Sequence, residues 1–163
     1  MKNKIVVAMT LALTASALFS VTSSAAEKGE GVMTYEEFAA AETDSEVVIE
    51  TYVQAKQAWW DNTATVYTQD EDGGYFIYGM ECSEEDYDKL VEGQKIKVTG
   101  YKAEWSGEVE IVDAYFELED GNYIAEAEDC TDLLGTDELI EMMNRKVAFL
   151  GMTIEASEDA EGN

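Results

Sequence analysis

The chain has three tryptophans, and each stands beside acidic, amide or turn-forming residues, in Trp59-Trp60-Asp61-Asn62 and Glu104-Trp105-Ser106-Gly107. Indole faces stack on flat or ring-shaped ligands while neighbouring carboxylates and amides hydrogen-bond polar edges, so the chemistry these segments suggest is recognition. Tyr67, Tyr75 and Tyr78 fall between them. The candidate ligand-binding set is therefore Trp59, Trp60, Asp61, Tyr67, Tyr75, Tyr78, Glu104 and Trp105. The competing reading is that at least one tryptophan closes a core.

Bond-making chemistry has less to work with. There is no histidine to serve as base for a nucleophile, and with 36 Asp and Glu no carboxylate pair stands out. The expectation is a protein that is not an enzyme and needs no cofactor. Asp70-Glu71-Asp72-Gly73 has the alternating carboxylates of a calcium loop but lacks the third acidic position and the distal Glu, so it reads as a solvated hairpin turn, with no metal expected. Cys82 and Cys130 have no histidine or further cysteine to form a zinc site. They are either bridged to each other or two buried thiols, and a barrel core would not need the bridge. Lys89, Lys95, Lys97 and Lys102 could form an anion site, but cross-strand pairing with Glu108 and Glu110 accounts for them more simply.

Residues 1–26 have the pattern of a secretory signal: Lys2 and Lys4, an apolar run over residues 5–19, then Ser24-Ala25-Ala26 as a small-residue cleavage site. The apolar run is shorter than the ~20 residues of a membrane span. The expected mature protein begins near Glu27, is secreted, and has no membrane contact after cleavage. Losing Lys2 and Lys4 would take the net charge from −26 to −28. Such a surface repels phosphate backbones and anionic lipid, which excludes nucleic acid as the favoured partner and leaves an extracellular glycan or peptide, or a protein partner.

The elements that must position the aromatic residues come from periodicity. Thr34 and Glu37 make a capping box for a short helix. Residues 46–55 alternate, with Val47, Ile49, Thr51, Val53 and Ala55 on one face. Strands follow over 64–69 and 75–80 as a hairpin, then a short acidic helix capped by Ser83, then strands over 95–101 and 108–113. Ile96, Val98, Gly100, Val109 and Ile111 should face inward. Strand, strand, strand, helix, strand, strand is the order of the oligonucleotide/oligosaccharide-binding (OB) fold, whose ligand face lies on strands two and three between the loops holding the tryptophans.

The segment Gly93-Gln94-Lys95-Ile96-Lys97-Val98-Thr99-Gly100, followed by Gly107-Glu108-Val109-Glu110-Ile111, resembles strands four and five of bacterial OB domains, with glycines at the strand start, the barrel corner and the hairpin. Residues 34–113 resemble a group of secreted OB-like proteins of anaerobic Gram-positive bacteria, through Tyr52-Val53-Gln54-Ala55-Lys56-Gln57, Tyr75-Phe76-Ile77-Tyr78, Cys82-Ser83-Glu84-Glu85-Asp86-Tyr87 and residues 101–108. That resemblance implies fold and export, and carries over no catalytic residue.

The expected fold is mostly β: a five-stranded OB-fold-like barrel with a short helix between strands three and four, an N-terminal helix and a C-terminal helix-strand extension. Residues 27–128 form the barrel domain with its leading helix. Residues 129–163 hold a capped helix over 136–143 and a strand over 146–155, repeating the opening of the chain, before an acidic tail expected to be disordered. The lone strand either pairs with the barrel or begins a truncated second OB-like domain. The function this fold suggests is an exported binding module; the alternatives are a structural or assembly module packing on a second OB-like domain or protein partner, and a nucleic-acid-binding OB domain, which the acidity disfavours.

Overall fold

The structure is a computed structural model describing residues 28–153. The signal segment and the acidic tail lie outside the described residues. Five strands, β1 (Glu46–Lys56), β2 (Thr63–Gln69), β3 (Gly74–Glu81), β4 (Gln94–Trp105) and β5 (Glu108–Asn122), close a barrel in the order β1-β2-β3-β5-β4, with β4 returning to pair with β1. That closure, with β3 and β5 running parallel, is the OB arrangement.

Alternation supplies the core. Val47, Ile49, Thr51 and Val53 of β1 point inward with Val66, Tyr75, Ile77, Ile96, Val98 and Ile111. Ala55 does not follow its expected face: a bulge between Val53 and Ala55 turns the strand, leaving Ala55 exposed. Two short helices close the barrel. Ser83 caps α2 (Glu84–Lys89), behind which Leu90 is buried at one end. Thr34 caps α1 (Tyr35–Ala40) by a reciprocal box with Glu37, and Phe38 enters the core with its ring 5.1 Å from Tyr75.

β5 runs nine residues beyond the expected 113. Asp113 takes a positive φ of 49°, making a bulge opposite Gly100. Gly100 is required there by close approach: a Cβ would lie 2.7 Å from Ile111 Cγ2 and 2.9 Å from the Val112 carbonyl oxygen. Gly100→Ala should lower stability by about 1–3 kcal/mol through overpacking, read as a lower urea midpoint at unchanged slope.

The C-terminal segment neither forms the expected α-helix nor pairs with a barrel strand. Asp137–Met142 is 3-10 helix, and β7 (Val147–Ala148) pairs in parallel with β6 (Glu128–Asp129). The segment nonetheless seals the barrel seam. β3 and β5 pair only through Phe76–Ile77 and Glu110–Ile111, and just before that Val109 N–H donates to Met143 Sδ while the Asn144 side-chain amide donates to the Val109 carbonyl. Arg145 donates to the Asp72 carbonyl, and Lys146 N–H to Gln69 Oε1. Backbone groups at an open edge are thus covered within the chain. Cys82 and Cys130 are buried free thiols.

Candidate ligand groove

Two tight turns present the tryptophans. Ser106 and Gly107 both take positive φ, 53° and 90°, in a two-residue hairpin joining β4 to β5. This pairs Trp105 with Glu108 and Ala103 with Glu110. Directly opposed residues share a face, so Trp105, Glu108 and Glu110 stand together on the outside of the barrel. The expected pairing of these glutamates with lysines is corrected: Lys97 lies opposite Glu50 and Glu117, and Lys102 opposite Ile111. Glu104 is opposite Val109, on the other face of the hairpin from Trp105.

The second turn is Asp61-Asn62, both also at positive φ, joined across by the Trp60–Thr63 pair. Asp61 therefore serves a left-handed turn position. Trp60 is 79% exposed and, through Thr63 and its partner Glu81, belongs to the outer face of β2 and β3. Trp59 is half-buried, its indole N–H donating to the Cys82 carbonyl at 2.9 Å.

Across β2 and β3, Tyr67 is opposite Phe76, with stacked rings 5.1 Å apart. Tyr67 also accepts a hydrogen bond from Gln57 at its hydroxyl. Tyr78 continues the row, 6.3 Å from Phe76 and 58% exposed. A bulge at Tyr78-Gly79, opposite Thr65 and with Gly79 at positive φ, tilts this end of β3. Phe76, Tyr78, Trp105, Ser106, Glu108 and Glu110 line one groove of about 580 Å3. Trp105 projects over it, 74% exposed. Burial, and then the like charge of Glu108, pushes the Glu110 carboxyl above its ordinary range.

The groove therefore joins Trp105 and Tyr78, with Tyr67 stacked behind Phe76; Trp59, Trp60, Asp61 and Glu104 are not among its lining residues. Tyr75 is a correction. It is fully buried, its hydroxyl donating to Asp70, and has no surface to offer a ligand. Phe76, Glu108 and Glu110 are groove residues that the sequence reading passed over. The available signal was period two: with Ile77 inward, Tyr75 must be inward too, and Phe76 and Tyr78 outward. The hairpin turn at 70–73 is also less solvated than expected, because Asp70 is buried and accepts from the Asp72 and Gly73 N–H groups.

No protein-family model matches the chain, and no curated protein matches it. Among solved structures, the p204 HINb domain is similar at 10% identity and a TM-score of 0.44, over 54% of this chain and 47% of that one. An aspartyl tRNA synthetase from Entamoeba histolytica is similar at 15% identity and a TM-score of 0.45, over 78% of this chain and 30% of that one. The chain thus spans less than half of either structure.

Proposed function

We propose that this chain is an exported, non-enzymatic binding module that takes an extracellular glycan or peptide on the outer face of β2 and β3, against the β4–β5 hairpin. The observation that carries this is the groove formed by Phe76, Tyr78 and Trp105, with aromatic faces left uncovered beside two carboxylates. Large exposed rings fixed by tight turns are an arrangement that costs solvation without contributing core. Nucleic acid fits poorly, because a chain of net charge −26 repels phosphate and the groove itself is acidic. The assembly reading draws on a different surface, the exposed Ile140, Leu150 and Met152 of the C-terminal segment.

Titrating the protein with neutral hexasaccharides and capped extended peptides tests the proposal by tryptophan fluorescence. Trp105→Ala should weaken the ligand that responds by about 1–3 kcal/mol, by analogy with base stacking, and should leave the melting temperature nearly unchanged. Trp59→Ala should instead lower stability, since its indole fills space and holds the Cys82 carbonyl. Absence of any response in the parent, together with strong destabilisation by Trp105→Ala, would reject the groove as a binding site.

A further inference from the structure

The two glutamates of the groove have no counterion among the described residues. Among the described residues no lysine or arginine lies within ion-pair distance of Glu108 or Glu110, while the ion pairs that do form are Lys28–Asp70, Lys89 with Glu85 and Asp86, Lys95 with Glu50 and Glu119, and Lys146–Glu92. Lys102 is spent on carbonyl oxygens of the α1 end, Lys56 on the Tyr87 carbonyl and Arg145 on the Asp72 carbonyl. The groove rings are equally free of cations among the described residues. The cation-π contacts these residues make fall on Tyr87, Phe38 and Tyr35, none of which lines it. So one groove holds two adjacent carboxylates, one of them partly desolvated, and three ring systems whose negative faces attract positive charge.

We propose that the groove takes a lysine or arginine side chain of an extended basic peptide, with Phe76, Tyr78 and Trp105 against the aliphatic stem and Glu108 and Glu110 receiving the charged head. This rests on the reading of the groove as the binding site and names its ligand. Shape and charge both favour that occupant. A lysine or arginine carries an apolar stem that ends in a strong hydrogen-bond donor, which matches a wall of rings beside paired carboxylates. A neutral sugar would leave the two glutamates, side by side on one face of β5, unneutralised, whereas a bound cation lowers the repulsion between them. The overall charge of −26 draws such a peptide in from a distance.

The test uses the full chain, a glucosamine oligomer and two capped peptides of the same length, one alternating Gly and Lys, the other with norleucine in place of Lys, followed by calorimetry and tryptophan fluorescence. The lysine peptide should bind roughly tenfold or more tighter than its norleucine counterpart, and only the lysine peptide should weaken as salt rises. The double variant Glu108→Gln/Glu110→Gln should erase that preference while melting no lower than the parent, since it relieves a like-charge contact. Glu36→Gln/Glu42→Gln, which changes net charge equally at exposed positions outside the groove, should retain the preference and so separates groove recognition from general attraction to an acidic surface. Equal binding of both peptides, untouched by the glutamate variant, would overturn the cation assignment and leave the groove as an apolar binding site. Loss of the preference in both double variants alike would also overturn it. A glucosamine oligomer binding more tightly than the lysine peptide would reassign the site to amino sugars. No binding by any probe would reject the groove itself.

Discussion

Replacing Lys102 by alanine should cost this protein about 3 kcal/mol, a large share of the stability of a domain this size. Lys102 lies on the inner face of β4, opposite Ile111, and is buried. Its ammonium donates to the carbonyl oxygens of Phe38, Ala39 and Ala41 at 3.0, 2.8 and 2.8 Å. These carbonyls lie at the C-terminal, negative dipole end of α1, where only the Phe38 oxygen has a second donor, the Ala41 N–H. The ammonium thus satisfies the helix terminus and fastens to the barrel the helix that carries Phe38 into the core. Alanine removes three charge-assisted hydrogen bonds and leaves carbonyls facing a space that water reaches poorly. Lys102→Met separates packing from charge, because it fills the volume without donating. It should recover no more than about half the loss. Urea denaturation of the three proteins decides the matter, and a methionine variant as stable as the parent would mean that Lys102 acts only as a hydrophobic filler.

The Lys102 contact also shows why some of this structure could be read from sequence and some could not. Strands and core positions announce themselves by alternation, as in Val47, Ile49, Thr51 and Val53, and the barrel order follows from where turns and the α2 cap fall. Partners do not announce themselves. The sequence offers Lys102 as a partner for Glu108 and Glu110, and what separates them is turn length: a two-residue Ser106-Gly107 loop sets a register that gives Glu108 to Trp105 and Ile111 to Lys102. The same uncertainty hid the groove. Once the register places both glutamates beside Trp105 with no lysine opposite, they become candidate ligand groups instead of cross-strand partners for lysine. Bulges were the other obscured element. Those at Ala55, Gly79 and Asp113 each add a residue to one strand and shift the phase of alternation, which is why Ala55 leaves the core and β5 outruns its expected end. Tyr75 was the opposite kind of miss, an aromatic assigned to the surface by type although the phase of Ile77 already placed it inside.

Tyr75 leads to the second large effect, at Asp70. That carboxylate joins four groups: Oδ1 accepts from the N–H groups of Asp72 and Gly73 at 2.9 and 2.8 Å, while Oδ2 meets Lys28 Nζ at 2.6 Å and the Tyr75 hydroxyl at 3.2 Å. One side chain shapes the β2–β3 turn, anchors the segment before α1 and satisfies a buried phenol. Asp70→Ala should therefore cost about 3 kcal/mol or more, because it leaves the buried Tyr75 hydroxyl without its acceptor, the turn without its cap, and the Lys28 ammonium without its counterion, with only the Glu50 carbonyl to donate to. Asp70→Asn keeps an oxygen for the turn and should lose roughly half as much. The pair also has a signature at high pH. Burial, and after it the charge of Asp70, raises the Tyr75 phenol far above the ordinary tyrosine value near 10. The folded state thus holds the Tyr75 proton over a range where the unfolded chain releases it. The sign follows: stability tied to this proton is whole below about pH 10 and falls as the pH rises beyond it, by up to about 1.4 kcal/mol per pH unit. In Tyr75→Phe the neutral-pH stability should drop by about 1 kcal/mol, for the hydrogen bond to Asp70, and the alkaline decline should become shallower. Tyr123, also raised by burial, keeps its own share of the decline in both proteins. Parallel slopes above pH 10 would show that the Tyr75 proton is not held in the fold and that Asp70 acts through the turn and Lys28 alone.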